Sequence, residues 1–569
     1  MRIANVTSQA VEIQWPTVDW RLANAMVNNL RHRIYRASAR GNLKSAKSLQ
    51  RLMLKSRCNR LVSIRRVTQQ NHGKHTPGVD GVVIGTDKER AQLYKRITKT
   101  ISIKASPVKR VYIPKKNGKK RPLGLPTIID RCYQAIVKNA LEPYWEAKFE
   151  SVSYGFRPGR SVHDAMQKIH CIARAGKSRH WVLDADIRNA FDKIDHGFLM
   201  NALGAFPARN LIHQWLKSGV MEEGLSIATE AGTPQGGIIS PLLANIALHG
   251  MENSLGITYW KNGTVKQDHP YALVRYADDF VVFAKTKNDC ERAKELLQTF
   301  LEPRGLQLAE DKTRVCHLRE GFDFLGFNIR HYSTPWKKRG YVCLMRPSRE
   351  SVSRYIRQMK QIWKSVVGRS TKDAIHHLNQ KVIGWVHYFK SGASKRTFSR
   401  LDHWMYLRQV RYLYRRHPDK HWWWKRKNYF GVIKGRLDRW VFKDIQSGTY
   451  LWKHAWTKIK RHVLVKGNAS PDDPSLKEYW KQRQAKTASF IYGVKPVLSR
   501  RQRGVCPICW QPLNNGEPHN IHHIVPLSKE GSRKLDNICL VHGVCHRQIH
   551  SKLGKYIAEV IPLLEPYAG

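Results

Sequence analysis

The sequence is poor in acidic residues. It contains 43 Asp and Glu against 100 Lys and Arg, which gives 569 residues a formal net charge of +57. Self-repulsion on that scale destabilises a compact fold unless a polyanion neutralises it. Hydrophobic residues still make up 41% of the chain, enough to form buried cores, so a disordered basic tail is excluded. The shortage of acid therefore predicts nucleic acid as the partner.

Long apolar runs and clustered disulfide cysteines are also lacking. No uninterrupted apolar stretch reaches the roughly 18 residues that a transmembrane helix needs, and the N-terminus does not resemble a secretory signal. Neither a membrane partner nor an internal repeat is expected. Ten cysteines occur, four of them between positions 506 and 545, with the rest scattered. Reduced thiols plus one metal cluster fit this pattern better than a disulfide framework, and they predict a cytoplasmic location.

Changes of pattern along the chain predict a multidomain α+β protein. Residues 1–105 are basic and helical in pattern, whereas 106–335 alternate short apolar strands with helices. Basic helical segments follow at 336–430, then a basic segment at 431–499 and a compact module rich in Cys and His at 500–569. The Gly, Ser and Pro content of 466–475 predicts a linker there.

Two acidic positions lie where strands are expected to end. Asp278 and Asp279 separate two apolar, β-branched runs, a pattern typical of a hairpin that presents carboxylates at its tip. Upstream, alternation on a predicted strand places Asp184 and Asp186 on one face. One strand-end carboxylate and the hairpin carboxylates could hold two Mg²⁺ ions about 3.5–4 Å apart for phosphoryl transfer. Alternatively, Asp278 and Asp279 are ordinary turn residues.

Six segments in a fixed order favour the catalytic interpretation. Tyr276-Ala-Asp-Asp279 resembles the catalytic box of reverse transcriptases, and Asp186-Ile187, followed by Phe191, resembles their preceding metal-binding box. The other four segments also resemble boxes of this family: Tyr112–Lys115 with Arg121–Pro126, Tyr154–Gly159, Gly232–Asn245 and Gly305–Thr313. The resemblance covers some 220 residues and implies a right-hand polymerase with fingers and palm.

The resemblance also implies the roles of individual residues. Asp186, Ile187, Asp278 and Asp279 would bind metal, and Lys312 would approach the leaving pyrophosphate of the incoming dNTP. Phe191 would exclude a 2′-hydroxyl, while Asp184, Asp192 and Asp195 are rival candidates for the position of Asp186. The remaining substrate-binding residues would be Lys115 and Arg121 on the triphosphate and Gln235 and Gly236 near the template.

The middle of the chain combines cations with tryptophan. Residues 390–461 contain 20 Lys and Arg against four acids, with seven interleaved Trp. The cations can contact phosphates, and the aromatic rings can stack on bases. Most of these Trp are nevertheless expected to pack between helices. Ile383–Phe389 resembles the thumb, or maturase region, of group II intron proteins. That resemblance implies binding of the intron's own RNA, and of target DNA after about residue 430.

Two Cys/His knuckles near the C-terminus have the spacing of a zinc site. Cys506 and Cys509 form one knuckle, and His542 and Cys545 form the other, which suggests a structural Cys₃His zinc site. Cys539 is the alternative fourth ligand. A redox Cys-x-x-Cys is the other interpretation, but it needs only one knuckle.

Between and after these knuckles lies a histidine pattern that resembles the HNH nuclease motif. His546 and His550 share one helix face. The resemblance implies that these two and His522 bind a catalytic divalent metal, that His523 is the general base, and that Asn537 braces the loop carrying the histidine pair. The alternative is an inert zinc ribbon with surface histidines.

Taken whole, the chain resembles a bacterial or organellar group II intron-encoded protein. The implied fold is a right-hand polymerase followed by a helical thumb, a basic DNA-binding segment and a ββα-metal HNH module. Such a protein assists splicing of its intron RNA, nicks target DNA and primes reverse transcription from the nick. The alternatives are a retron or defence-type reverse transcriptase, or a splicing-only RNA-binding factor. The sequence leaves the oligomeric state open.

Overall fold

A computed structural model of the chain describes residues 13–99, 103–114, 118, 120–222, 225–259, 269–433, 435–486, 494–515, 517–532 and 534–550. Within these ranges no helix is long and apolar enough to span a bilayer. The described helices are α1 (Trp20–Ala39), α2 (Leu43–Lys55), α3 (Arg57–Arg65), α4 (Asp87–Lys99), α5 (Ile128–Glu146), α6 (Val162–Ala173), α7 (Ala190–Lys193), α8 (His196–Leu203), α9 (Arg209–Lys217), α10 (Ser240–Ala247), α11 (Met251–Ser254), α12 (Lys287–Leu301), α13 (Arg349–Ser365), α14 (Thr371–Phe389), α15 (Lys395–Arg416), α16 (Trp422–Tyr429), α17 (Lys477–Lys486), α18 (Lys495–Arg501) and α19 (Gly543–Ile549).

The described strands form five sheets. They are β1 (Val108–Pro114), β2 (Lys120–Leu125), β3 (Trp181–Asp186), β4 (Val220–Glu222), β5 (Leu225–Ile227), β6 (Ala272–Tyr276), β7 (Asp279–Ala284), β8 (Arg314–His317), β9 (Phe322–Phe324), β10 (Phe327–Ser333), β11 (Tyr341–Pro347), β12 (Phe430–Gly431), β13 (Val441–Phe442), β14 (His519–His523) and β15 (Ile538–His542).

The N-terminal helices pack on the long helix α5. Helix α1 begins after Asp19, whose carboxylate accepts a hydrogen bond from the Leu22 amide and so satisfies one orphan donor of the first turn. Its buried apolar residues recur every three or four positions, which gives one face for α2, α3 and α5. The fingers sheet has the strand order β2-β1-β4-β5, and its strand β2 directly precedes α5 in the chain.

The palm is a four-stranded antiparallel sheet in the order β6-β7-β3-β8. Its central strand β7 is apolar and buried from Phe280 to Ala284, and α12 contacts β3, β7 and β8. Both neighbours of β7 are therefore held in register by burial, because a one-residue slip would turn the apolar set outward. This register fixes where the acidic strand ends lie.

The helices after the palm have a core of their own. A smaller sheet, β11-β10-β9, leads into α13, α14 and α15. Met359, Leu378 and Leu413 are fully buried between these helices, and Phe442 of β13 joins the same cluster. Several tryptophans of this region pack there too, whereas Trp423 is largely exposed.

The segment 466–475, expected to be a linker, is packed against the polymerase and is not a free tether. Asp472 is buried and pairs with Arg31 of α1 at 2.7 Å, and Arg160 donates a hydrogen bond to the Gly467 carbonyl at 2.8 Å. The Trp480 ring lies against Gly159, where an added Cβ would approach it to 2.5 Å. The Gly, Ser and Pro content predicted a linker, because composition could not reveal that polar residues of this segment have buried partners.

The C-terminal module has a ββα order and sits on the N-terminal helices. Strands β14 and β15 are antiparallel, and α19 follows β15 directly. The Gln548 side chain donates hydrogen bonds to the carbonyls of Pro16 and Val18, at 3.0 and 2.9 Å. Buried residues of the module belong to the same apolar cluster as those of the polymerase. The fold is thus the expected multidomain α+β arrangement with a Cys/His module at its end.

Candidate polymerase and nuclease sites

Three carboxylates meet at one edge of the palm sheet. Asp186, the last residue of β3, lies opposite Asp279, the first residue of β7. Asp278 is next to Asp279 in the turn that joins β6 to β7. The structure therefore brings together the strand-end and hairpin acids that the sequence singled out.

The turn that carries these acids has an unusual backbone and a close neighbour. Ala277 has a φ of 60°, a left-handed conformation that an L-residue rarely adopts. The backbone of Gly155 packs so tightly on this turn that an added Cβ would lie 2.3 Å from the Ala277 nitrogen. A side chain at Gly155 would displace the hairpin, so glycine is required there.

A buried arginine supports the turn from beneath. Arg275, 1% exposed, donates from Nη1 to the Ala277 carbonyl at 3.3 Å and to Asn245 Oδ1 at 3.0 Å. Asn245 in turn donates to the Gly155 carbonyl at 2.9 Å, and Glu150 lies 3.9 Å from the Arg275 guanidinium. Because these groups are linked by hydrogen bonds and an ion pair, the network holds the acidic turn in a fixed position relative to the sheet.

The electrostatics of the acidic cluster call for a cation. Desolvation, then repulsion from Asp186, raises the pKa of Asp278. The Asp279 side chain reaches the surface, yet surrounding protein desolvates it; that effect and the charge of Asp278 raise its pKa to about 7. Lys312 forms an ion pair with Asp186, and this hydrogen bond raises the pKa of Lys312. It is costly to ionise these clustered carboxylates together, and a cation lowers that cost. Since Mg²⁺ prefers oxygen ligands, the cluster is suited to it.

The rival acids have other partners. Arg314 donates to Asp184 at 3.2 Å, but burial outweighs this ion pair and raises the pKa of Asp184 to about 6. Asp192 accepts a hydrogen bond from the Gln235 side chain at 3.1 Å. Asp195 caps α8 by accepting from the Phe198 amide at 2.6 Å. None of the three lies at the strand end with the hairpin acids.

Phe191, expected to contact the sugar, and Ile187, expected to bind metal, both follow Asp186 within five residues. The Phe191 ring meets Phe156 edge to face at a centroid distance of 6.1 Å, which makes an aromatic wall. Ile187 follows Asp186 and forms an isolated bridge with Leu308, next to the turn that carries Lys312.

Of the expected template-side and triphosphate residues, Gln235 and Gly236 contact the fingers strand β2, which carries Arg121. Gly236 has a φ of 126°, and an added Cβ would lie 2.7 Å from the Gly124 carbonyl oxygen of the fingers. The carbonyl of Gln235 accepts from the Gly124 amide at 2.7 Å, which ties this loop to β2. Arg121 of β2 is exposed, and its positive charge lowers the pKa of Asp278. Lys115 lies outside the described residues.

The two Cys/His knuckles converge on one buried point. Ligand atoms of Cys506, Cys509, His542 and Cys545 all lie within 4.8 Å of one another, and all four residues are buried. His542 Nδ1 lies 3.3 Å from Cys509 Sγ, while its Nε2 lies 3.1 Å from the Pro512 carbonyl. If Nε2 carries the proton and donates it to the Pro512 carbonyl, Nδ1 is unprotonated and can bind metal. The donor set and spacing suit zinc, and His542 rather than Cys539 is the residue brought to the cluster.

A second group of residues that could hold a metal ion lies on the ββα unit. Ligand atoms of His522, His546 and His550 lie within 4.8 Å of one another. Burial, then the neighbouring imidazoles, lowers the pKa of His522 to about 4, and burial lowers that of His546. Neutral imidazole is the form that binds a metal.

The remaining HNH residues lie around this triad. His523 follows His522 on β14, so its side chain leaves the strand on the opposite face, and it is half-buried. The Asn537 side chain donates to the carbonyls of Val525 and Ser532, at 2.9 and 2.7 Å, and thereby closes the loop after β14. A zinc ribbon with only a structural role would not require a second group of histidines, beyond the Cys₃His cluster.

Sequence reasoning missed two buried cations. Arg275 had a local signal, since it is a single charge at the end of the apolar run Tyr271–Val274 and directly before the acidic box. Arg65, which contacts Glu517 and Cys545 of the C-terminal module, had none, because it is one of 100 cations in a basic helical segment.

Models of four protein families match the chain in order. They are the N-terminal domain of reverse transcriptase over residues 15–97, the reverse transcriptase (RNA-dependent DNA polymerase) over 113–329, the group II intron maturase-specific domain over 352–430, and the HNH endonuclease over 506–552.

Relatives from bacteria and yeast match as well. Protein YkfC of Escherichia coli is 37% identical over 47% of this chain and 80% of its own length. The putative COX1/OXI3 intron 1 protein of Saccharomyces cerevisiae is 27% identical over 42% of this chain and 34% of its own length. The group II intron-encoded protein LtrA of Lactococcus lactis is 30% identical over 80% of this chain and 86% of its own length. The chain therefore belongs to the group II intron-encoded proteins, as a reverse transcriptase with maturase and HNH endonuclease domains that acts in intron splicing and mobility.

Proposed function

We propose that this chain copies RNA into DNA at the palm edge formed by Asp186, Asp278 and Asp279. The observation that carries this proposal is the register of β3 and β7, which sets Asp186 opposite Asp279 beside the acidic turn. These carboxylates would hold two Mg²⁺ ions, which when bound supply charge neutralisation and activation of the primer hydroxyl. Ile187 is proposed as a further metal-binding residue beside Asp186.

The surrounding residues position the incoming dNTP. Phe191 lies under the sugar and leaves no room for a 2′-hydroxyl, and Gln235 and Gly236 support the nucleotide near the template. Lys115 and Arg121 bind the triphosphate, the arginine as a two-pronged donor. Lys312, already drawn toward the cluster by Asp186, donates to the leaving pyrophosphate.

A cleft lined by arginines gives the nucleic acid a path away from the palm. It has a volume of about 580 Å³ and lies between β9–β11 and the start of α15. Its basic lining includes Arg314, Arg330, Arg346, Arg349, Arg396 and Arg400. Planar guanidinium groups bind phosphates through paired hydrogen bonds, so the cleft is suited to a nucleic-acid backbone. Intron RNA is the proposed partner of the thumb, and target DNA that of the basic segment beyond about residue 430.

The C-terminal module is proposed to nick target DNA. His522, His546 and His550 would hold a divalent metal, which when bound stabilises the phosphate charge. His523, on the opposite face of β14, takes a proton from the attacking water as general base. The Cys506, Cys509, His542 and Cys545 cluster holds structural zinc, which staples the module.

We propose five domains: an N-terminal extension at 1–105, the fingers and palm at 106–335, the thumb at 336–430, a DNA-binding segment at 431–499 and the nuclease at 500–569. None of the ten cysteines, all of which the structure describes, is in a disulfide, which supports a reducing compartment such as the bacterial cytoplasm.

Asp278→Ala tests the proposed polymerase site. Primer extension on an RNA template should disappear, while affinity for RNA in filter binding stays near that of the parent, because this carboxylate binds metal and not RNA. The exposed thumb acid Asp419, changed to Asn, is the matched control and should extend primers normally. A splicing-only factor is the better account if the parent fails to extend primers with any divalent metal; persisting synthesis by Asp278→Ala contradicts the assigned site.

A further inference from the structure

An arginine of the N-terminal helices contacts the Cys₃His cluster of the C-terminal module. Arg65, the last residue of α3, donates from Nη2 to Cys545 Sγ at 3.5 Å and to Glu517 Oε1 at 3.2 Å. Its side chain is 2% exposed, and that of Glu517 is fully buried. The Nε and Nη1 atoms of Arg65 are buried without a hydrogen-bond partner. The buried charge therefore depends for compensation on the Glu517 carboxylate and on Cys545, which would be a thiolate with zinc bound.

Other contacts continue this seam between the N-terminal helices and the module. Gln70, in the turn after α3, donates to Glu517 Oε1 at 2.8 Å. The Arg65 guanidinium lies 4.7 Å from the centre of the Trp20 ring, and Arg21 lies 4.0 Å from the Trp510 ring. The Arg21–Trp510 contact and the shared Glu517 carboxylate join the two sides, whereas the Arg65–Trp20 contact holds the arginine from its own side of the seam.

We propose that Arg65 positions the zinc site of the nuclease from outside the nuclease, so that zinc binding and seating of the module on the polymerase are coupled. The proposal rests on the structural zinc site proposed above. Three thiolates around one divalent ion carry a net charge of −1, and Arg65 lies between this centre and the Glu517 carboxylate. Outer hydrogen bonds of this kind orient the ligands and strengthen metal binding.

The charges of the two partners predict an asymmetry between them. Removing Arg65 leaves a buried carboxylate and an anionic centre facing each other without a cation. Removing the charge of Glu517 leaves Arg65 paired with the anionic centre. Loss of Arg65 should therefore lower zinc affinity more than loss of the Glu517 charge does. When Arg65 is already absent, removing the Glu517 charge should restore part of that affinity.

Zinc retention in full-length protein tests this asymmetry. Competition with a chromogenic chelator should show that Arg65→Met lowers zinc affinity about 10- to 100-fold, the usual effect of losing an outer-shell partner. Glu517→Gln should cause a smaller change, Arg65→Met with Glu517→Gln should recover part of the loss, and Arg65→Lys should retain most of the affinity. If the seam is purely structural, both single variants should be similarly unstable, and zinc affinity in their folded fraction should be unchanged. That result would overturn the proposal.

Hydrogen exchange of the parent protein tests the coupling without any substitution. Chelation of zinc should increase amide exchange in α3 and around Trp15–Thr17, on the polymerase side of the seam, and leave β3 and β7 of the palm protected. An increase confined to residues 494–550 would contradict the coupling. A parent protein that contains no zinc would instead contradict the zinc site itself, so the two failures are distinguishable.

Discussion

Arg275 donates a hydrogen bond to the main-chain carbonyl of Ala277 from beneath the acidic turn. The buried Arg275 guanidinium also donates to Asn245, so it can hold the acidic turn in place without contacting a substrate. We therefore interpret Arg275 as a positioning residue of the polymerase site.

Arg275→Met should lower the maximal rate of primer extension by about 10²-fold, the effect expected when reacting groups move by about 1 Å. The dNTP concentration for half-maximal rate should change little, because Arg275 does not reach the nucleotide cleft. Steady-state kinetics on an RNA template measures both quantities. The exposed Arg292 of α12, changed to Met, is the control. A normal rate per folded molecule, together with a lower melting temperature, would assign Arg275 a role in stability alone.

The magnesium requirement should depend on pH. The pKa of Asp279 is raised to about 7 by desolvation and by the charge of Asp278, so protons compete with metal below neutrality. The Mg²⁺ concentration that gives half-maximal primer extension should rise as the pH falls from 8 to 6. Saturating Mg²⁺ should restore much of the rate. If the half-maximal concentration is constant over this range, the raised pKa does not belong to a metal-binding group.

Without metal, the same group predicts the sign of a stability change. An acid whose pKa is higher in the folded state binds more protons folded than unfolded, between its unfolded pKa near 4 and its folded pKa of about 7. The free energy of unfolding should fall as the pH rises through this window. Asp279→Asn should flatten this dependence in denaturant titrations with EDTA present. Identical slopes for parent and variant would contradict the assignment.

Phe191 should select the sugar of the nucleotide. Phe191→Val removes the ring that meets Phe156 and opens space beside the cleft, so incorporation of ribonucleotides should increase relative to deoxynucleotides. Phe198→Val on α8, whose ring contacts Arg304 and not the Phe191–Phe156 pair, is the control for the loss of a ring. Equal discrimination by the parent and Phe191→Val in single-nucleotide extension assays would remove Phe191 from the sugar pocket.

Binding of RNA should weaken steeply with salt. Six to ten bound phosphates predict a loss of affinity of about 10³-fold or more between 50 and 200 mM salt, through counterion release. Changing Arg396 and Arg400 of the arginine cleft to Gln should reduce the slope of log affinity against log salt by about one for each phosphate that the variant no longer binds. Lys287→Gln with Arg292→Gln, on the exposed face of α12, should not change it. A flat salt dependence is incompatible with a phosphate-binding cleft.

Local patterns were enough to predict much of both sites. Apolar runs on either side of Asp278 predicted the hairpin, and alternation on β3 predicted Asp186 at a strand end. Knuckle spacing similarly predicted the cluster around Cys506. These features depend on neighbours within a few residues, where strand periodicity and turn chemistry act.

What the sequence did not reveal depends on residues that are far apart in the chain. Arg65 and Glu517 are 452 residues apart, and Arg31 and Asp472 are 441 apart. A polar residue that pairs across such a distance has the same local pattern as one that faces solvent. For this reason 466–475 was predicted to be a linker, although Asp472 is buried.

Two sites of this chain are proposed to act in succession: the nuclease makes the primer, and the palm extends it. The direct measurement is a duplex DNA target, end-labelled on the nicked strand, incubated with the protein, its intron RNA, dNTPs and Mg²⁺. The parent should give labelled strands that are nicked and then lengthened by DNA complementary to the RNA. Asp278→Ala should stop at the nick, and His523→Ala should extend only a target nicked beforehand, while His72→Ala should behave as the parent. Extension of intact target by His523→Ala, or no extension of the nicked target by the parent, would contradict the account.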